Sequence, residues 1–81
     1  AQSHCLVGEL RLFAEGIGTH PVEAEVKIRY ATPPIAATLL PSGDGTLLVR
    51  FHQPQGALSP GQSAVFYRGD QVLGGGIIQR S

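Results

Sequence analysis

The residues able to do chemistry are few and scattered. His4 and Cys5 are adjacent, His20 precedes a proline, and His52 follows a run of alternating apolar residues. A nucleophile needs a base within hydrogen-bond reach. Neighbours on an extended segment point to opposite faces, so His4 and Cys5 do not make such a pair. Three separated histidines lack the short spacings of a zinc site. Glu23 and Glu25 share one face of an alternating segment, where paired carboxylates can do acid–base work. Lys27 and Arg29 share that face too, which describes a solvated surface with charge pairing across strands. Gly74-Gly75-Gly76 does not read as a phosphate loop, because such loops join a strand to a helix N-terminus, often with a lysine nearby. Here Ile77-Ile78 follow, so the glycines mark a bulge, a barrel corner or close approach of another backbone. No catalytic, cofactor-binding or metal-ligating residue is assigned. Two readings of the remaining polar residues stay open: Lys27, Arg29, Arg50 and Arg68 can meet phosphates while Tyr30 or Tyr67 stacks on a base, or the arginines solubilise the barrel and the tyrosines belong to its core.

The elements that would carry these side chains are extended. Val22, Ala24, Val26, Ile28 and Tyr30 alternate with Glu23, Glu25, Lys27 and Arg29, the period-2 pattern of a strand with one buried face. Thr32-Pro33-Pro34 interrupts it, since proline lacks a ladder donor and restricts the residue before it. Ile35 to Leu40 and Thr46 to Phe51 form a hairpin across Pro41-Ser42-Gly43-Asp44-Gly45, whose glycines accept positive φ. Pro54 and Ala57-Leu58-Ser59-Pro60-Gly61-Gln62 make an ordered connection, with Pro60-Gly61 suited to a type II turn. Ser63 to Tyr67 and Gln71 to Ile78 are the last strands. They join at Arg68-Gly69-Asp70 and are apolar on both sides, as in strands covered twice. Residues 1–21 are only loosely defined: Leu6, Leu10 and Phe13 have helical spacing, whereas Leu10, Leu12 and Ala14 alternate. The segment is too short for a stable helix, so a short strand or irregular extended stretch is expected.

Five or six short antiparallel strands with Gly and Pro turns predict an all-β fold, a small closed or nearly closed barrel. Eighty-one residues suffice for a single domain, 1–81. One cysteine forms no internal disulfide, which fits a reducing, cytoplasmic setting. No apolar run approaches the roughly 18 residues of a membrane span, and the first residues lack a signal-peptide pattern. Six basic against six acidic residues exclude a strong sequence-independent grip on nucleic acid.

A longer motif is more specific. Phe51-His52-Gln53-Pro54-Gln55-Gly56-Ala57-Leu58-Ser59-Pro60-Gly61-Gln62-Ser63-Ala64-Val65-Phe66-Tyr67, followed by Gly69-Asp70 and Val72-Leu73-Gly74-Gly75-Gly76-Ile77-Ile78, resembles the closing segment of the tRNA-specific 2-thiouridylases, the tRNA-uridine 2-sulfurtransferase family. Val26-Lys27-Ile28-Arg29-Tyr30 resembles that family's basic strand, and Pro33-Pro34 its next turn. Ala31 departs from the pattern, where a basic residue commonly follows the tyrosine. The resemblance implies a detached C-terminal β-barrel, similar to the second domain of translation elongation factors, with the catalytic domains absent from this chain. It implies a parent enzyme that activates the wobble uridine of tRNA with ATP and installs sulfur delivered by a sulfur-donor protein. The family's S-G-G-x-D-S loop and catalytic cysteines have no counterpart here, and Cys5 matches neither cysteine. The expected partners are tRNA and the parent's catalytic domain, not a membrane. Lys27 and Arg29, then Arg50 and Arg68, are the expected tRNA contacts. The alternative is a structural barrel that packs on the catalytic domain without touching RNA.

Overall fold

The computed structural model describes residues 2–28, 33–56 and 58–79. They form six strands: β1 Gln2–Leu12, β2 Val22–Lys27, β3 Ile35–Pro41, β4 Leu47–Gln55, β5 Ser63–Arg68 and β6 Gln71–Gln79. All pairings are antiparallel, and the order β1-β4-β3-β2-β5-β6 closes on itself as a barrel. The expected all-β closed barrel is the observed one.

Alternation builds the core. Val22, Ala24 and Val26 point inward from β2, Ala37 and Leu39 from β3, and Leu47, Val49 and Phe51 from β4. Cys5, Val7, Ala64, Phe66, Leu73 and Ile78 complete the filling, with Ile17 from the β1–β2 connection packed against it. Phe66 is fully buried. Its removal from water contributes about 1.5–3 kcal/mol, the range for a large apolar side chain.

Several boundaries differ from the expectation. The opening segment is extended, as expected, but it is not short: β1 is 11 residues long. It carries a bulge where the register against β6 shifts between Gly8 and Arg11, and Glu9 sits there at φ 48°. The extra residue moves the inward phase from Cys5 and Val7 to Leu10, which packs against the core. β2 stops at Lys27, short of the expected Tyr30; residues 29–32 lie outside the described set. β4 starts at Leu47 rather than Thr46 and runs through Pro54 to Gln55. A proline is tolerated there because the β1–β4 register breaks between the Gln2–Gln55 and His4–Arg50 pairs, so no regular ladder is interrupted. Among the described residues, nothing covers the outer side of β5 and β6. The barrel is a single layer, and the outward Val65, Tyr67 and Ile77 remain half-buried while Val72 is exposed.

The turns follow their residues. Gln62 N–H donates to the Ser59 carbonyl at 3.2 Å with Gly61 at φ 93°, the type II geometry that Pro-Gly favours. This turn is pinned to β6: Gly61 N–H donates to the Ile78 carbonyl, and Ile78 N–H to that of Gln62, both at 2.8 Å. In β6 the register against β5 shifts at Leu73, so Gly74 and Gly76 face Phe66 and Ala64. A Cβ at Gly76 would press on the Gly8 carbonyl oxygen and come within 2.8 Å of Val7 Cγ1. The glycine run therefore lets β1 and β6 close the barrel.

Candidate nucleic-acid interface

Of the four basic residues singled out from the sequence, the three that are described, Lys27, Arg50 and Arg68, do not converge. Lys27 is the last residue of β2, half-buried and paired with Val65. Arg68 closes β5 opposite Gln71, three residues from Val65 and so about 10 Å along the strand. Arg50 lies on β4, exposed, between His4 of β1 and Thr38 of β3. Arg29 and Tyr30 lie outside the described residues, so the face that Lys27 and Arg29 were expected to share is not described beyond Lys27. Tyr67 points outward from β5 opposite Glu25, half-buried.

The outer face of β2, β3 and β4 carries a polar cluster that sequence reasoning did not assemble. Charge pairing across strands was expected of the face that carries Glu23; its Oε1 meets His52 Nε2 at 2.9 Å, across the intervening β3. The Thr38 hydroxyl donates to Glu23 Oε2 at 2.7 Å and lies 3.2 Å from His52 Nε2. Thr38 is only 6% exposed although it faces outward, because the Glu23–His52 pair lies over it. A carboxylate oxygen accepts, so the short His52–Glu23 contact is assigned as Nε2–H donating to Oε1, and Nδ1 has no partner among the described residues. The signal in the sequence was period-2 spacing alone: Glu23, Thr38 and His52 each occupy an outward position, but strand pairing is needed to bring them together.

This cluster is not a nucleophilic triad. The hydroxyl gives its proton to the carboxylate rather than to the imidazole, so nothing activates the oxygen. Cys5 is also inert in position: its thiol faces the core, and burial pushes its pKa up to about 11. Among the described residues, no group of three or more His, Cys, Asp or Glu is placed to hold a metal. Among those residues there is no helix long and apolar enough to cross a membrane.

Two open grooves mark the outer surface. One, about 740 Å³, runs beside His52 and is lined by Ile28, Pro33, Pro34, Ile35 and Leu58. The other, about 770 Å³, lies over the β6 glycines, with Phe13, Val65, Val72 and Ile77 along it. Phe13 is 72% exposed, and Leu12 and Val72 are also exposed.

The described residues thus form a closed six-stranded barrel with its polar cluster on the outer face. Residues 2–78 match the model of the aminomethyltransferase β-barrel domain, and the chain belongs to that family. Its relatives are tRNA-specific 2-thiouridylases named MnmA. That of Vibrio cholerae serotype O1 is 52% identical over 61 residues, 75% of this chain and 16% of that protein. That of Picosynechococcus is 42% identical over 78 residues, covering 96% of the chain and 22% of the relative. A Synechococcus relative is 38% identical over 80 residues, 99% of the chain and 22% of its own length. The chain thus spans about a fifth of the curated relatives it matches.

Proposed function

We propose that this chain is the C-terminal domain, 1–81, of a cytoplasmic tRNA 2-thiouridylase. Its role is noncatalytic: it helps hold tRNA while the catalytic domain, using ATP and sulfur from a donor protein, thiolates the wobble uridine. The observation that carries this reading is the 52% identity, confined to the barrel, with a protein named as a tRNA-specific 2-thiouridylase. The contribution is orientation: backbone contacts seat the substrate so that distant groups act on one base. Lys27, Arg29, Arg50 and Arg68 are the contacts proposed. With so few charges the barrel alone binds weakly, with a Kd of about 10⁻⁴–10⁻⁶ M.

The test is a chimera in which these 81 residues replace the barrel of the Vibrio cholerae relative. Thiolation of tRNA by the chimera is expected. Charge reversal at Lys27 and Arg29 is expected to lower it without lowering thermal stability. Unchanged turnover in the charge-reversed chimera supports the second reading, a barrel that packs on the catalytic domain without touching RNA. That reading is favoured by one observation, the exposed Leu12, Phe13 and Val72 beside the β6 groove.

A further inference from the structure

We infer that Arg50, His4 and His52 form a phosphate-contact patch for the RNA backbone whose grip strengthens as pH falls. This inference rests on the proposed tRNA-binding reading and goes beyond it by assigning two histidines and a pH response. His4 and Arg50 are direct cross-strand partners on the outer face of β1 and β4, a placement that sets their Cβ atoms about 4.5–5.5 Å apart. His52 is two residues further along β4, where alternation returns it to the same face. His4, Arg50 and His52 are all exposed.

The chemistry of the switch follows from the bonding of His52. Glu23 and Thr38 hold Nε2, so the ring presents Nδ1 as its available edge. In the neutral ring Nδ1 is a lone pair, which repels a phosphate oxygen; protonation makes it an N–H donor. Imidazole is the side chain whose charge changes between pH 5 and 8. Arg50 remains charged throughout and supplies a fixed contact with planar donors suited to phosphate.

The groups facing these side chains are few. From β3, His52 and Arg50 meet Ala36 and Thr38, which do not titrate; from β2, beyond them, stand Glu23 and Glu25. Glu23 and Glu25 together offset two of the three positive charges that Arg50, His4 and His52 carry when both rings are protonated, so protonation turns the patch from net negative to net positive. The β6 side of His4 lies past Gln79, outside the described residues. His20 sits elsewhere, in the β1–β2 connection against Thr19, and serves as the internal control for a general charge effect.

The experiment is titration of a tRNA transcript into the 81-residue chain at pH 5.5 and pH 8 over a series of salt concentrations, with circular dichroism confirming the fold at both pH values. Binding is expected to tighten about five- to tenfold at pH 5.5, with the slope of log K against log salt steepening by about 1–2 as histidines join the contact. Arg50→Ala is expected to lower the slope by about 1 at both pH values. His4→Asn with His52→Asn is expected to abolish the pH step, and His20→Asn to leave it intact. His4→Asn alone touches no core contact and keeps the test sound should the double variant unfold. Equal binding at the two pH values, a step that survives His4→Asn unreduced, or a step lost in His20→Asn would overturn this inference while leaving a tRNA-positioning role intact. Absence of tRNA binding at either pH, with a chimera that fails to thiolate, would overturn that role and this patch together.

Discussion

Replacing Gly76 with alanine adds one methyl group at the tightest point of the barrel. Its Cβ would press on the Gly8 carbonyl oxygen while lying 2.8 Å from Val7 Cγ1 and 3.1 Å from Leu10 Cδ2. The first of these is backbone of the neighbouring strand, held in the β1–β6 ladder, and the other two are packed against or within the core. None can withdraw cheaply, so the cost belongs at the upper part of the overpacking range, about 2–3 kcal/mol. In a domain of this size each kcal/mol moves Tm by about 4–8 °C, which places the expected drop at about 10–20 °C. Gly8 provides the contrast. The three atoms nearest its Cβ would all belong to the Gln79 side chain, the first at 2.9 Å, and that side chain can swing aside at the cost of its bond to the Ile77 carbonyl. Alanine there also reduces the freedom of the unfolded chain, a gain of about 0.4–1 kcal/mol, so Gly8→Ala is expected within about 0.5 kcal/mol of the parent. Paired thermal and urea unfolding of the two variants decides the matter. Equal stabilities for Gly76→Ala and Gly8→Ala would refute the claim that backbone approach, rather than local conformation, demands glycine in β6.

Three further outcomes are expected. Cys5 should resist thiol-specific reagents at pH 8 in the folded chain and react at the rate of global unfolding, as followed by mass spectrometry. Because burial raises its folded pKa from 9.0 to about 11, the unfolded thiol ionises first, so stability from this group is complete below pH 9 and lost as pH rises to 11. Relative to Cys5→Ala, the parent should lose on the order of 2 kcal/mol across that window, measured by urea unfolding at each pH. Thr38→Val keeps the shape of the side chain and deletes the 2.7 Å bond to Glu23; a loss of about 1 kcal/mol is expected. A value indistinguishable from zero would mean that the outer cluster adds nothing to the fold.

Most of the barrel was legible from alternation. Val22 to Lys27 bury every second residue, and Pro60-Gly61 makes the turn its chemistry favours. Where the period broke, the reading broke with it. The bulge at Glu9 inserts one residue into β1, so a phase that begins at Cys5 and Val7 resumes at Leu10; no single-period pattern describes such a segment. The extent of β4 was obscured by Pro54, which ordinarily marks a strand's end and here occupies a register break. The outward apolar residues of β5 and β6 suggested a second covering layer, but the described residues provide none. The candidate site was harder still. Glu23, Thr38 and His52 are separated by 15 and 14 positions, and only the sheet order β4-β3-β2 makes them neighbours. Lys27 and Arg68 were grouped by charge, whereas the antiparallel β2–β5 pairing sends them toward opposite ends.

The start of β1 and the finish of β6 run side by side, with Leu6 against Gln79, while the Gly43–Gly45 and Gly69 turns lie at the other end. The two ends of the described chain therefore share one rim of the cylinder, and a label or a cut placed in the far turns stands clear of both.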